Sequence, residues 1–239
     1  MMNDLNNNNN DKQKDSDDQS WLMTYADMMT LLFAFFVMLY AMSSPDPVKV
    51  SELKDSMAKE QGQKGTLQSQ NEIKETFEEI VENLNLENVA NVMHDPRGVA
   101  LEMDGDICFS SGSTDIKASL MAVLNETSEK ILSNMADYRM VVIEGHTDSA
   151  PIPEKLREKY PTNWELSAAR ASNVVNYLIK KGVNSGRLQA SGYADRWPSE
   201  VSWYDVRSGK VNDQVIKEKN STRSQMEKNR RIKIVFTNK

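Results

Sequence analysis

One long apolar run, Trp21-Leu-Met-Thr-Tyr-Ala-Asp-Met-Met-Thr-Leu-Leu-Phe-Ala-Phe-Phe-Val-Met-Leu-Tyr-Ala-Met42, constrains this chain most, and a carboxylate, Asp27, stands inside it. At 1.5 Å per residue a helix over the run is about 33 Å long, enough to cross a ~30 Å hydrocarbon core once. An aspartate inside such a helix costs roughly 2.5–3.5 kcal/mol on insertion scales. Its default role is therefore an ion or proton site facing a partner helix or a water-filled cavity. The plainer alternative is a paired or snorkelling residue near the helix end, since Asp27 lies only about 9 Å in from Trp21. A cleaved signal peptide fits poorly. The leader carries Asp4, Asp11, Asp15, Asp17 and Asp18 against Lys12 and Lys14, and the run is too long. Lys and Arg counts near the two ends of the run are similar, so the positive-inside rule does not decide orientation.

The rest of the 239 residues leaves room for one domain of ordinary size and a connector. A net charge of −6, with basic residues scattered among acids, argues against a nucleic-acid partner. The single cysteine, Cys108, excludes an internal disulfide and a cysteine-based metal cluster. Two histidines, His94 and His146, argue against a histidine-rich metal site, and no cofactor is expected.

Five stretches differ in texture. Residues 1–20, with the Asn6–Asn10 run, read as a disordered tail, and 21–42 as the membrane helix. Residues 43–69 hold a short amphipathic helix at about 47–60, with Val50, Leu53 and Met57 at helical spacing, then a connector containing Gly62 and Gly65. Residues 70–96 read as a second amphipathic helix on Ile73, Phe77, Ile80, Val81 and Leu84. From 97 to 239, strands and helices alternate. Strands are expected at Gly98–Met103, Met140–Glu144, Arg187–Gly192 and Ile232–Phe236. Helices are expected at Ile116–Met135 and Trp164–Lys181, the latter with Asn163 as N-cap and Gly182 as its stop. Two βα pairs and a closing strand make an α/β sandwich with helices over one face of a small sheet.

Four motifs follow in order: Gly145-His-Thr-Asp148, Asn163-Trp-Glu-Leu-Ser-Ala-Ala-Arg-Ala171, Gly192-Tyr193 and Asn229-Arg-Arg-Ile232. Together they resemble the OmpA-like peptidoglycan-binding domain over roughly residues 97–239. That resemblance implies a site for the diaminopimelate side chain of a wall stem peptide, which ends in an ammonium and a carboxylate. Asp148 would face the ammonium and Arg170 would fork onto the carboxylate. Thr147, Asn163 and Leu166 would line the pocket, with Asn229 and Arg231 in support and Arg230 able to do as much. Without the resemblance, an Asp and an Arg on adjacent elements are most simply a structural ion pair. His146 reads as a packed strand-end residue. No second carboxylate or nucleophile accompanies Asp148, so neither a hydrolase nor any catalytic residue is expected. Two departures from the family pattern stand out. Gln225-Met226 replaces its usual Gly-Arg, and a longer segment at 199–219, holding Trp203 and Tyr204, is expected to be a solvated loop.

The Trp21-to-Thr30 stretch with Phe35-Phe36 after it resembles the membrane helix of the MotB/PomB family, the B subunits of flagellar stators. The resemblance implies a bacterial inner-membrane protein with one span, a cytoplasmic N-terminus and a periplasmic wall-binding domain. It also implies a homodimer inside a ring of five polytopic A subunits. Asp27 would carry the ion, and the 47–60 helix would plug the unassembled channel through Val50, Leu53 and Met57. Tyr25 and Ala34 favour protons over sodium ions. Two rivals share the plan: the B subunit of a Zorya-type antiphage defence complex, and a passive wall-anchored tether. The tether leaves Asp27 without a role. An ExbD-like energiser shares an intramembrane Asp but normally lacks the wall-binding domain.

Overall fold

The computed structural model describes residues 4–42, 67–110 and 113–238. They belong to two compact units, divided between Asp46 and Pro47. The first is helix α1, Asp4–Met42. Its stretch Trp21–Ala41 is the one helix among the described residues long and apolar enough to cross a membrane. Residues 4–20, expected as a disordered tail, continue the same helix. Once an apolar segment has formed a first turn, each further residue adds a backbone hydrogen bond at little extra cost. Within the span, the Thr24 hydroxyl donates to Trp21 O and the Thr30 hydroxyl to Asp27 O, each at 2.8 Å. Both hydroxyls are thus satisfied inside the helix, as lipid requires. Val50, Leu53 and Met57 of the expected plug lie outside the described residues.

The second unit is built on a five-stranded sheet of order β1-β2-β5-β3-β4. The strands are β1 (Ala90–Asp95), β2 (Gly98–Asp104), β3 (Val141–His146), β4 (Leu188–Gly192) and β5 (Arg231–Thr237). Only β3 and β4 run parallel. A parallel pair needs a crossover, and the long helix between them supplies it. Among the described residues the helices of this unit, in chain order, are α2 (Gln70–Asn83), α3 (Gly105–Cys108), α4 (Ala118–Thr127), α5 (Glu154–Arg157), α6 (Asn163–Lys180), α7 (Trp203–Arg207), α8 (Asp213–Glu218) and α9 (Arg223–Asn229). A π-helical turn, Ser128–Leu132, extends α4. The crossover is α6.

Helices α2, α4 and α6 bury one face of the sheet. Ile232, Ile234 and Phe236 of β5 join Ile73, Leu120 and Val174 in a single apolar cluster. Helix α2 starts on a capping box in which Ser69 and Glu72 satisfy each other's backbone N–H groups. Its Ile73, Phe77 and Ile80 are fully buried in that cluster. The segment 70–96, expected as a separate helix before the domain, therefore belongs to the domain core. It also supplies an unexpected edge strand, β1.

The other face of the sheet is ionic. Because side chains alternate along a strand, Arg231 and Lys233 point away from the helices. There they meet Glu102 and Asp95, at 3.1 and 2.7 Å. Glu144, His146, Arg231 and Lys233 are all buried on this side. Trp197 shields it, with Lys233 Nζ 5.4 Å and the Arg97 guanidinium 5.8 Å from its ring centre. From Trp197 the chain enters the 199–219 segment, which is not a plain solvated loop. It forms the short helices α7 and α8, and two asparagines hold it. Asn229 accepts from Ser199 N at 2.8 Å and donates to Lys219 O and Asn220 Oδ1 at 2.9 and 3.0 Å.

Candidate functional site: an ion-paired cleft at three strand ends

Strand β2 runs out into α3, β3 ends at His146, and β5 begins at Arg231. Since β5 lies between β2 and β3, the residues just beyond these ends become neighbours. Arg230 occupies the middle. Its Nη1 donates to Asp148 Oδ2 at 2.6 Å. Its Nη2 and Nε donate to the two oxygens of Asp106 at 2.9 and 3.3 Å. The backbone is tied at the same point, with Gly105 N donating to Arg230 O at 2.7 Å.

Two glycines bring α6 down onto this edge. A Cβ on Gly145 would fall 2.1 Å from Ser167 O, and one on Gly192 2.6 Å from Ala168 N. Only a residue without a side chain lets the helix lie this close to β3 and β4. The close approach carries Arg170, one turn further along, into the cleft beside Asp148.

The N-cap of α6 is Thr162, not Asn163, and Glu165 completes a capping box with it. Asn163 has another task. Its Nδ2 donates to Asp148 O and Ala150 O at 3.1 and 3.2 Å, fixing the loop that carries the carboxylate. Ala150 N in turn donates to Asp148 Oδ1 at 3.0 Å. One oxygen of Asp148 is therefore committed to its own turn, and the other faces Arg230.

Arg170 is held differently. Its Nε and Nη2 donate to Ser113 O at 3.3 and 3.2 Å, and its guanidinium lies 5.0 Å from the Phe109 ring centre. Burial pulls its pKa below the ordinary arginine value. No carboxylate bonds to it among the described residues. A largely desolvated cation without a bonded counter-ion favours an anion brought by a ligand. The cleft has a volume of about 460 Å³, and Asp106, Lys117, Asp148, Asn163, Arg170 and Arg230 supply its polar walls. Three cations and two carboxylates around one cleft suit a ligand carrying both charge signs.

Of the residues expected to bind, Asp148, Arg170 and Asn163 line this cleft, whereas Thr147, Leu166, Asn229 and Arg231 do not. Thr147 is buried, its backbone N donating to Ala194 O at 2.8 Å. Leu166 is buried as well. Asn229 anchors the 199–219 segment. Arg231 is 3% exposed and donates to Trp197 O on the ionic face. Arg230 takes its place because adjacent residues entering a strand point to opposite sides. Sequence reasoning missed Asp106 and Asn220. Asn220 Oδ1 accepts from Ser149 N at 3.1 Å, joining the 199–219 segment to the residue after Asp148. The N-R-R motif pointed toward Arg230; nothing in the sequence singled out Asp106.

The ionic face behind the cleft has an acid dependence. Burial, followed by the nearby Arg231 charge, pushes His146 down to about 3. Burial alone would raise Glu144 and Asp95, but their partners outweigh it. His146 and Arg97 bring Glu144 to about 2, and Arg97 and Lys233 bring Asp95 to about 2. Of the Glu144 partners Arg97 dominates, at 2.5 Å; His146 Nε2 lies 3.7 Å away without a hydrogen bond. Below its ordinary pKa of 6.5, an unfolded His146 takes up a proton that the folded chain refuses until about 3. The two carboxylates add a loss below 4.5 and 3.8, as each approaches about 2. Stability is thus expected to be flat between pH 7 and 8 and to fall continuously on acidification below that. His146 by itself contributes a loss of about 2 kcal/mol at pH 5, roughly 5 °C in melting temperature. Melting curves of the full chain in detergent between pH 7.5 and 4.5 check this. His146→Gln should flatten the part between 6.5 and 5.

A helix-covered sheet with an aspartate and an arginine lining one cleft at the end of β3, on a chain with one membrane-length helix among the described residues, is the plan of an OmpA-like domain on a membrane helix. The comparisons agree. A family model described as the membrane MotB of the proton-channel complex MotA/MotB matches residues 6–60, and the OmpA family model matches residues 108–214. The uncharacterized protein YtxE of Bacillus subtilis is 30% identical over 236 residues, covering 91% of this chain and 88% of the relative. Motility protein B of the same organism is 27% identical over 221 residues, covering 76% and 83%. The solved structure of a MotB-like protein from Desulfovibrio vulgaris shares the fold, with a TM-score of 0.55 at 20% identity, covering 71% of this chain and 91% of that one. The chain belongs to the MotB family, with an OmpA-like domain.

Proposed function

We propose that this chain is the B subunit of an ion-driven flagellar stator. In this reading two copies stand within a ring of five polytopic A subunits, in the inner membrane, with the N-terminus in the cytoplasm. Protons are the carried ion. Asp27 takes each one up from the periplasm and releases it inward, and the change in its charge drives a step of the A ring. The wall domain holds the dimer still by gripping diaminopimelate between Asp148 and Arg170, so that torque reaches the rotor. Residues 47–60 plug the channel until assembly. One observation carries the reading: a single carboxylate, Asp27, lies within the membrane-length helix of a chain whose other unit is a wall-binding domain.

The test has two arms. The full-length chain in detergent should sediment with purified diaminopimelate-containing sacculi, and free diaminopimelate should release it. Cells co-expressing the A partner and a chain lacking residues 47–60 should acidify internally and grow slowly. Failure to sediment would remove the wall anchor. Unchanged cytoplasmic pH and growth, with both proteins in the membrane, would remove the plugged proton channel.

A further inference from the structure

Arg230 makes a bond that the ligand itself would need. Asp148 has two oxygens. Ala150 N takes one at 3.0 Å, and Arg230 Nη1 takes the other at 2.6 Å. An ammonium arriving at Asp148 meets a cation already bonded to the oxygen that the turn leaves free. The same guanidinium also grips Asp106 through two further bonds. The Asp106 side chain is 70% exposed, while that of Asp148 is only 10% exposed. Arg230 thus already holds a second anion, on the solvent side.

We propose that Arg230 is a built-in stand-in for the ligand's ammonium and that Asp106 is the residue that receives it. Without a ligand, Arg230 neutralises Asp148, which burial would otherwise penalise. When the zwitterionic ligand binds, its ammonium takes Asp148 Oδ2 and Arg230 withdraws onto Asp106 alone. Two cations on one carboxylate oxygen repel each other, so the ligand's ammonium competes with Arg230 there. The exchange sets specificity. A simple amine must displace Arg230 with nothing offered in return, whereas a zwitterion also brings a carboxylate for Arg170. Asp106 is then a positioning residue that never touches the ligand, and its charge makes the exchange easy. This inference rests on the diaminopimelate reading of the cleft.

The test is a double-mutant cycle on the full chain in lipid nanodiscs, with free meso-diaminopimelate as the probe and calorimetry as the readout. Asp106→Asn leaves Arg230 with Asp148 alone and is expected to weaken binding about five-fold. Arg230→Gln vacates Asp148 Oδ2 and should tighten binding by a similar factor. In the Arg230→Gln background, Asp106→Asn should have no further effect, because its action runs through Arg230. Weaker binding by Arg230→Gln would make Arg230 an ordinary ligand contact and overturn the proposal. An undiminished Asp106→Asn loss in the double variant would do the same. Asp148→Asn separates the underlying reading: if the wild type fails to bind, or Asp148→Asn binds as well as wild type, the diaminopimelate site itself is wrong. Should a variant fold poorly, a crystal structure of the wild-type chain with diaminopimelate decides. Arg230 must then bond Asp106 only; an intact Arg230–Asp148 bond beside bound ligand rejects the exchange.

Discussion

Asp27→Asn is expected to abolish swimming and swarming in a host that relies on this chain, while the protein stays at normal level in the membrane. Asparagine keeps the size and shape of the side chain but cannot take up and release a proton. It also removes a charge that costs roughly 2.5–3.5 kcal/mol to insert, so anchoring of the helix should be unharmed or improved. Loss of function with intact anchoring is the signature of an ion-carrying carboxylate. A merely paired or snorkelling aspartate would give wild-type motility or poor insertion. Swimming speed, swarm diameter and a membrane immunoblot measure the three quantities together. Full motility in a strain whose only stator carries Asp27→Asn would end the ion-carrying role.

Arg170→Gln is expected to cost about 100-fold in affinity for diaminopimelate and to release the chain from sacculi, with the melting temperature nearly unchanged. The two effects separate because Arg170 lacks a carboxylate partner among the described residues. Losing a charge-assisted contact to the ligand removes 2–5 kcal/mol. Losing a desolvated cation that bonds only a backbone carbonyl and faces the Phe109 ring is close to neutral for folding. Arg170→Lys should not restore binding. The compact ammonium of a lysine lacks the planar fork that would grip the ligand carboxylate through two parallel bonds while still reaching Ser113 O. Asp148→Asn should weaken binding to a comparable degree, and Arg230 would then lose one of its two carboxylates. Co-sedimentation, calorimetry and a melting curve on each variant are sufficient. Equal affinity of Arg170→Gln and wild type would reassign the cleft.

Much of the wall domain was legible because its strands and helices have distinct periods. The alternation in Ile232–Phe236 and the stripe along 164–181 carry the strand and helix periods, and the short run Val141–Ile143 reads as a buried strand by its length and β-branched residues. Strand β1 did not show itself. Its burial runs buried, exposed, two intermediate, exposed, buried, so it lacks the alternation of a half-buried strand. Its identity comes from pairing with β2. The first cap of α6 was misplaced by one residue because Thr162 and Asn163 are both good N-caps. The winner was settled by Glu165, three residues beyond Thr162.

Sequence alone determined what depends on local composition and order. It identified a membrane-length helix with Asp27 inside it and an OmpA-like arrangement of motifs, whose resemblance nominated Asp148 and Arg170 as candidate opposed charges. Tertiary structure decided which side of a strand each neighbouring residue faces and which distant ends meet. Arg230 reaches the cleft and Arg231 the ionic face because side chains alternate at the entry to β5, and the phase of that alternation comes from register with β2 and β3. Asp106 and Asp148 share one arginine because β5 lies between their two strands. A strand order that brings residues 106, 148 and 230 together is a property of long-range pairing, and no local pattern in the chain encodes it.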